Sequence, residues 1–241
     1  MAYKHIVILT GAGISADSGL DTFRDEGGVW SRYAIEDVAT PEAFANNPEL
    51  VHDFYNMRRK VALAARPNGA HRALARLEAE YPGEVVIITQ NVDNLHEQAG
   101  SRNLIHMHGE LAKARCTGCA TVRSWTDRLG VDTPCAACGA VGTMRPHIVW
   151  FGEIPMGLDE IDRQLMACDL FVSIGTSGNV YPAAGFVDTV RRIGRAHRVE
   201  LNLEPSLGNS LFDEGIYGRA VEVVPAFVDR LMAEVTAQEM N

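Results

Sequence analysis

The sequence predicts an α/β protein, a Rossmann-like doubly wound parallel sheet with a smaller inserted domain, and three observations carry that expectation. Near the start a β-branched run, Ile6-Val7-Ile8, turns sharply into a glycine loop, Gly11-Ala12-Gly13-Ile14-Ser15-Ala16. Two further apolar runs, Glu84 to Thr89 and Asp169 to Ile174, each stop at a cluster of polar residues. Strands behave so when they are buried on both faces and open a ligand crevice at their carboxyl ends. Four cysteines then fall in the pattern Cys116-x2-Cys119-x15-Cys135-x2-Cys138, inserted between strands.

The glycine loop matches G-x-G-x-x-A after a strand and before an expected helix start, where backbone N–H groups and a positive dipole end receive phosphate. A glycine turn without a ligand is the other reading of so short a motif. No acidic residue closes a second strand about 20 positions on, as a dehydrogenase would require. Thr22 to Trp30 is instead polar and glycine-containing, a mobile loop over the nucleotide with Arg24 available for phosphate. Thr40-Pro41-Glu42 starts a helix that runs to about Ala65. On it Leu50, Phe54, Met57, Val61 and Ala65 form an apolar stripe flanked by Tyr55 and Arg58, which is either a snorkelling arginine or half of a carboxylate clamp. A second helix, Asn68 to Tyr81, leads back to the large domain.

The strand Glu84 to Thr89 ends in Gln90-Asn91-Val92-Asp93, a crevice lining or a polar turn. Leu104 to Glu110 places His106 and His108 on one face of a short strand, with His108 the candidate base. The cysteine spacing is that of a four-thiolate zinc ribbon; disulfides are the alternative. Four thiolates leave no open position, so such a metal is structural. Cys168 reads as a small buried residue. Arg145 to Glu153 returns to the main domain, and Pro146 marks an edge open to strand addition. Gly175, Thr176 and Ser177 close the next strand. After a helix over about 182–195, the strand Arg198 to Glu204 sets Asn202 and Glu204 on one face for ribose or base hydroxyls. Val221 to Val224 and a helix from Pro225 to about Thr236 complete the fold.

With 241 residues and 46% hydrophobic content the chain can bury a full core. The expected division is a nucleotide-binding domain over 1–38, 84–110 and 145–241, with a helical insertion over 39–83 and a zinc-ribbon insertion over 111–144 forming the small domain. A formal charge of −9 argues against direct nucleic acid binding. The absence of a leader-like segment or a long apolar run predicts a cytoplasmic protein without membrane contact.

Taken in order, GAGIS, GLDTFR, TQNVDNLH, HMHGE, the four cysteines, RPHIVWFGE, GTS and NLE resemble the sirtuins, the NAD-dependent protein lysine deacylases. Tyr55-x-x-Arg58 further resembles the bacterial class III branch, in which such a pair recognises acidic acyl groups. The resemblance implies NAD as a consumed co-substrate, one structural Zn²⁺ on Cys116, Cys119, Cys135 and Cys138, and acyl-lysine proteins or peptides bound in the cleft between domains. It implies catalytic roles for His108 as general base, Asn91 ordering ribose and water, and Asp93 holding the nicotinamide carboxamide. The cofactor site it implies comprises Gly11, Ala12, Gly13, Ser15, Phe23, Arg24, Trp30, Gln90, Val92, Gly175, Thr176, Ser177, Asn202, Leu203, Glu204 and Ala220 beside Asn91 and Asp93. Deacetylation with desuccinylation or demalonylation is the implied activity, releasing nicotinamide and O-acyl-ADP-ribose. Mono-ADP-ribosyl transfer is the alternative within the family; an NAD-dependent dehydrogenase or a non-enzymatic zinc-ribbon protein are the alternatives outside it.

Overall fold

The structure is a computed structural model and describes residues 3–22 and 33–239. Its strands are β1 (His5–Thr10), β2 (Glu84–Thr89), β3 (Leu104–His106), β4 (Gly109–Cys116), β5 (Val122–Ser124), β6 (Met144–Ile148), β7 (Leu170–Ile174), β8 (His197–Asn202) and β9 (Glu214–Tyr217). Its helices are α1 (Ile35–Val38), α2 (Pro41–Asn46), α3 (Pro48–Ala64), α4 (Gly69–Glu80), α5 (Leu95–Ala99), α6 (Leu158–Ala167), α7 (Phe186–Ile193) and α8 (Ala220–Glu239). Six strands form one sheet in the order β3-β2-β1-β7-β8-β9, every neighbouring pair parallel. The order reverses between β1 and β7, which is where a doubly wound sheet leaves its crevice.

The apolar runs fill both faces. Ile6 and Ile8 of β1 pack with Ile87, Val172 and Ile174 against Leu74 and Leu77 of α4 and Phe227, Val228 and Leu231 of α8. Val7 and Leu9 join Ile88 and Phe171 against Ile161 and Leu165 of α6 and Phe186 and Val190 of α7. A one-residue slip of β1 would exchange these layers, and each side chain so buried is worth about 1.5–3 kcal/mol, so the register is fixed from both sides.

The second sheet is antiparallel, in the order β5-β4-β6, and carries the cysteines at one end. Phe54, Tyr55 and Ala62 of α3 pack with Val38 and Ala43 onto Leu111, Ile148 and Trp150. Arg59 ties α3 to the cysteine module: only 1% exposed, it donates from Nε to the Leu111 carbonyl (2.7 Å) and from Nη1 to Asn56 Oδ1 (2.7 Å). β6 lies at the edge of this sheet, as Pro146 required.

Several expectations need correction. The glycine loop is followed not by an α-helix but by two three-residue 3₁₀ turns, Ala12–Ile14 and Ala16–Ser18, because Ser15 turns its hydroxyl to Asp93 and Gly19 ends the second turn in the left-handed region (φ 80°). The helix expected over 40–65 breaks at Asn47: its Oδ1 accepts from Leu50 N (3.1 Å) to cap α3, and Pro48 has no N–H with which to continue α2. Met57 and Val61, expected in the core stripe, are 40% and 48% exposed because that face of α3 turns toward a cavity. His106 and His108 do not share a strand face, since β3 ends at His106 and His108 falls in the turn before β4. Val221 to Val224 is helical: Val224, Phe227, Val228 and Leu231 keep helical spacing toward the core. The strand after β8 is β9, at one edge of the six-stranded sheet, whose half-exposed Glu-Gly-Ile-Tyr has no β-branched run to announce it.

Candidate active site

At the switch point the ends of β1 and β7 are bonded to one another: Gly11 N donates to the Ile174 carbonyl (2.9 Å) and Gly13 N to that of Gly175 (2.9 Å). A Cβ on Gly11 would stand 2.8 Å from the Gly175 oxygen, so the close approach demands glycine. Above it opens a cavity of about 1040 Å³, larger than the ~300–1,000 Å³ usual for one small ligand and roomy enough for a dinucleotide with a second substrate. Its lining includes Gly11, Ala12, Gly13, Ser15, Gln90, Asn91, Val92, Asp93, His108, Gly175, Thr176, Ser177, Asn202, Leu203, Glu204, Ala220, Tyr55 and Arg58. The predicted loop residues Phe23, Arg24 and Trp30 lie outside the described residues.

Underneath, a buried polar network fixes the floor. Thr10 Oγ1 donates to Thr89 Oγ1 (2.9 Å), which also accepts from Asn91 N (3.0 Å), so the ends of β1 and β2 are stitched together. Asn91 Nδ2 reaches both the Gly11 carbonyl and Ser15 Oγ (3.1 Å each). Ser15 in turn donates to Asp93 Oδ2 (3.1 Å), while Asp93 Oδ1 accepts from Leu95 N (3.0 Å). Burial pushes the Asp93 carboxyl up against these two donors. His71 supports the network: its Nδ1 accepts from Asn68 N (3.3 Å), which leaves the ring proton on Nε2, 3.4 Å from Ser15 Oγ. Burial holds His71 down to about 4, so it is neutral at pH 7. Nearby, Gln90 Nε2 donates to Thr176 Oγ1 (3.3 Å) and Asn202 Nδ2 to the Thr176 carbonyl (2.8 Å), joining three strand ends. Glu204 lies beyond the end of β8 rather than beside Asn202 on the strand.

His108 stands at the cavity wall with Nδ1 3.0 Å from the Gln90 carbonyl. A carbonyl only accepts, so Nδ1 carries the proton and Nε2 is the basic nitrogen. Burial pushes this imidazole below its ordinary pKa, keeping it unprotonated and able to take a proton at neutral pH. Gly109 follows in the left-handed region (φ 81°), and a Cβ there would meet the His147 carbonyl oxygen at 2.1 Å, so the turn that delivers His108 to the wall tolerates no side chain.

The opposite wall is side-chain built. Arg58 and the buried Tyr55 face the cavity from α3, with the Arg58 Cζ 6.0 Å from the Tyr55 ring and 5.7 Å from that of Phe54. Enclosure by protein lowers the pKa of Arg58 although part of its surface faces the cavity, and Tyr55, Asp93 and Asp21 act against that. Met57 and Val61 line the same wall. Sequence reading missed these two as cavity residues, as it missed Tyr33, Trp150 and Phe151. It missed the brace beneath Trp150 as well: the Arg145 Cζ lies 3.3 Å from the Trp150 ring centroid, and Arg145 bonds Glu153 with both Nη atoms (2.7 and 2.9 Å). His71 carried no signal, because a histidine closing a capping box is easily read as a solvated helix residue.

The four cysteines converge with all Sγ atoms within 4.8 Å of one another. Cys116 and Cys138 are 3.8 Å apart and Cys119 and Cys135 3.7 Å, near the ~3.8 Å edge of a tetrahedron with 2.3 Å metal–sulfur bonds and far beyond a disulfide. The set fits a closed zinc site. Cys168 is apart from it, buried, with burial raising its thiol to about 11. Among the described residues no helix is long and apolar enough to cross a membrane.

Known proteins resemble this chain along most of its length. The Sir2 family pattern matches residues 11–182. The NAD-dependent protein deacylase of Caulobacter vibrioides is 58% identical over 233 residues, covering 95% of this chain and 98% of that one. A protein of the same name from Vibrio parahaemolyticus is 54% identical over 233 residues and 96% of each chain. The solved structure of a Sir2 homologue in complex with NAD matches with a TM-score of 0.88 at 39% identity, over 96% of this chain and 91% of the other. One of Sir2 bound to an acetylated peptide matches at 0.79 with 30% identity, over 97% and 94%.

Proposed function

This chain belongs to the Sir2 family, and from that premise we propose how its residues divide the work of an NAD-dependent protein lysine deacylase. The observation that carries the reading is that His108, its free nitrogen set by the Gln90 carbonyl, lines the same cavity as the glycine cradle of the switch point. NAD supplies the electrophilic ribose carbon and the nicotinamide leaving group. Gly11, Ala12 and Gly13 receive the pyrophosphate, with Ser15 near; Thr176, Ser177, Asn202, Leu203 and Glu204 hold the adenosine half, closed by Ala220. Asp93 holds the nicotinamide carboxamide and Asn91 orients ribose and water. His108 Nε2 takes a proton from the ribose hydroxyls. The cysteine-bound Zn²⁺ is structural and supplies no step.

In this reading, residues 1–38, 84–110 and 145–241 form the nucleotide-binding domain, and 39–83 with 111–144 the small domain. The acylated lysine of a protein or peptide enters the cleft between them, its backbone alongside the edge strand β6. Tyr55 and Arg58 clamp the carboxylate of succinyl or malonyl groups. Four thiols kept for a metal suit the reducing cytoplasm.

The test compares kcat/KM for one peptide carrying acetyl- or succinyl-lysine, in wild type and in Arg58→Met, following deacylated peptide and nicotinamide by mass spectrometry. A charge-assisted bond is worth about 1.5–3 kcal/mol, so Arg58→Met lowers desuccinylation more than about tenfold and spares deacetylation. Equal loss on both substrates removes the clamp. Nicotinamide release without deacylated peptide favours ADP-ribosyl transfer instead.

A further inference from the structure

A second hollow, of about 410 Å³, shares no lining residue with the large cavity and is bordered by Glu97, His106, Glu110 and Lys113. His106 closes β3 and bridges two partners. Its Nε2 is 2.9 Å from Glu97 Oε1 on α5, and its Nδ1 is 3.4 Å from the Asn91 carbonyl. Both partners only accept, so both ring nitrogens donate and the bridge is complete only as imidazolium. The bridge spans the 90–94 loop: Asn91 is near its start and Glu97 just past its end, in the first turn of α5. That loop presents Asn91 and Asp93 to the large cavity and gives His108 its anchoring carbonyl at Gln90.

We propose that His106 is a positioning residue for the deacylation site: as an imidazolium bridging Glu97 and the Asn91 carbonyl, it holds the 90–94 loop in the shape that sets Asn91 and Asp93 toward bound NAD. The inference rests on the deacylase reading. Charged groups around His106 come from every neighbouring element. Glu97 on α5 and Glu110 on β4 favour the cation, and Lys113 on β4 lies 2.5 Å from Glu110. Arg102 borders the hollow, buried His96 on α5 is held far below its ordinary pKa by burial with His106 among the causes, and Asp93 on the loop is favoured as carboxylate by His106. The net effect holds His106 above its ordinary pKa despite burial. Two histidines two residues apart are therefore pushed in opposite directions, His106 toward the imidazolium and His108 toward the neutral ring.

The experiment measures kcat and the KM for NAD of wild type, His106→Gln and Glu97→Gln on an acetyl-lysine peptide from about pH 5.5 to 9, with NAD affinity by calorimetry over the same range. Wild type loses NAD affinity and kcat/KM on an alkaline limb as His106 gives up its proton. Glu97→Gln removes the main group favouring the cation and moves that limb to lower pH. His106→Gln abolishes the limb and raises the KM for NAD roughly tenfold at neutral pH, while the acid limb from His108 stays in place. Superimposable pH profiles in all three proteins, or a loss equal at every pH, overturn the proposal. A wild type that binds NAD with the alkaline limb but removes no acyl group would fail the deacylase reading and leave the brace standing.

Discussion

One wall of the large cavity is made of strand ends and main chain, whereas the wall facing it is made of side chains projecting from a single helix. On the sheet side, Gly11, Gly13 and Gly175 touch backbone to backbone, and Asn91, Ser15 and Asp93 are locked by hydrogen bonds. On the helix side, Tyr55, Met57, Arg58 and Val61 meet the cavity from α3, whose own position depends on the cysteine-bearing sheet through Arg59. The difference teaches where variation is cheap: a changed strand end disturbs the sheet, while a change at the exposed Met57 or Val61 of α3 reshapes the cavity and leaves both cores intact.

The largest expected effect separates the two walls outright. Cys135→Ser, or removal of zinc by a strong chelator, takes away a metal whose binding is worth about 10–16 kcal/mol in small zinc modules. The few buried side chains there, Ala114, Leu129 and Met144, cannot replace it. Limited proteolysis should then cut within 116–144 and deacylation should vanish, while calorimetry still finds NAD bound. If NAD binding is lost in step, the walls are not independent. Next comes His108→Ala, expected to lower kcat about 10²–10⁴-fold with NAD affinity nearly unchanged. Because burial lowers the pKa of His108, the base is lost only as pH falls below the ordinary histidine range, so the acid limb of the wild-type kcat profile should lie below ~6.5 and be missing from the residual activity of the variant. An acid limb that survives in the variant assigns it to another group. The smallest effect sharpens the metal-bearing side: Ala120, at φ 60° in the first cysteine knuckle, holds a conformation that costs alanine about 1 kcal/mol. Ala120→Gly should raise Tm by no more than about 2–4 °C, read by calorimetry, and a lower Tm would place the strain elsewhere.

The middle of the sheet was legible because β1, β2 and β7 are near-continuous apolar runs buried on two faces, as parallel strands covered by helices are. β9 was not, since Glu214-Gly215-Ile216-Tyr217 is stabilised by pairing at an edge and not by its composition. The start of α8 misled for the converse reason: Val221, Val223 and Val224 favour a strand locally, but Val224 completes a helical stripe into the core. The crevice residues on the sheet side were readable as polar clusters after strands, a rule tied to topology. The helix side was half readable. Tyr55 and Arg58 stood out by type, but Met57 and Val61 look like core in any sequence, because a cavity wall and a core share the same chemistry. Arg59 was passed over since a charged side chain gives no sign that three oxygens await it inside.

Arg58 and Arg59 are chain neighbours with opposite duties. One helical step of about 100° separates a guanidinium on the cavity wall from one anchored to Leu111, Asn56 and Asp127. If Arg58 sets acyl selectivity as proposed, selectivity and foldability are written on adjacent codons yet remain separable, so a combinatorial library at 57, 58 and 61, sparing buried Tyr55, can search for new acyl preferences without drawing on the stability held by the residue next door.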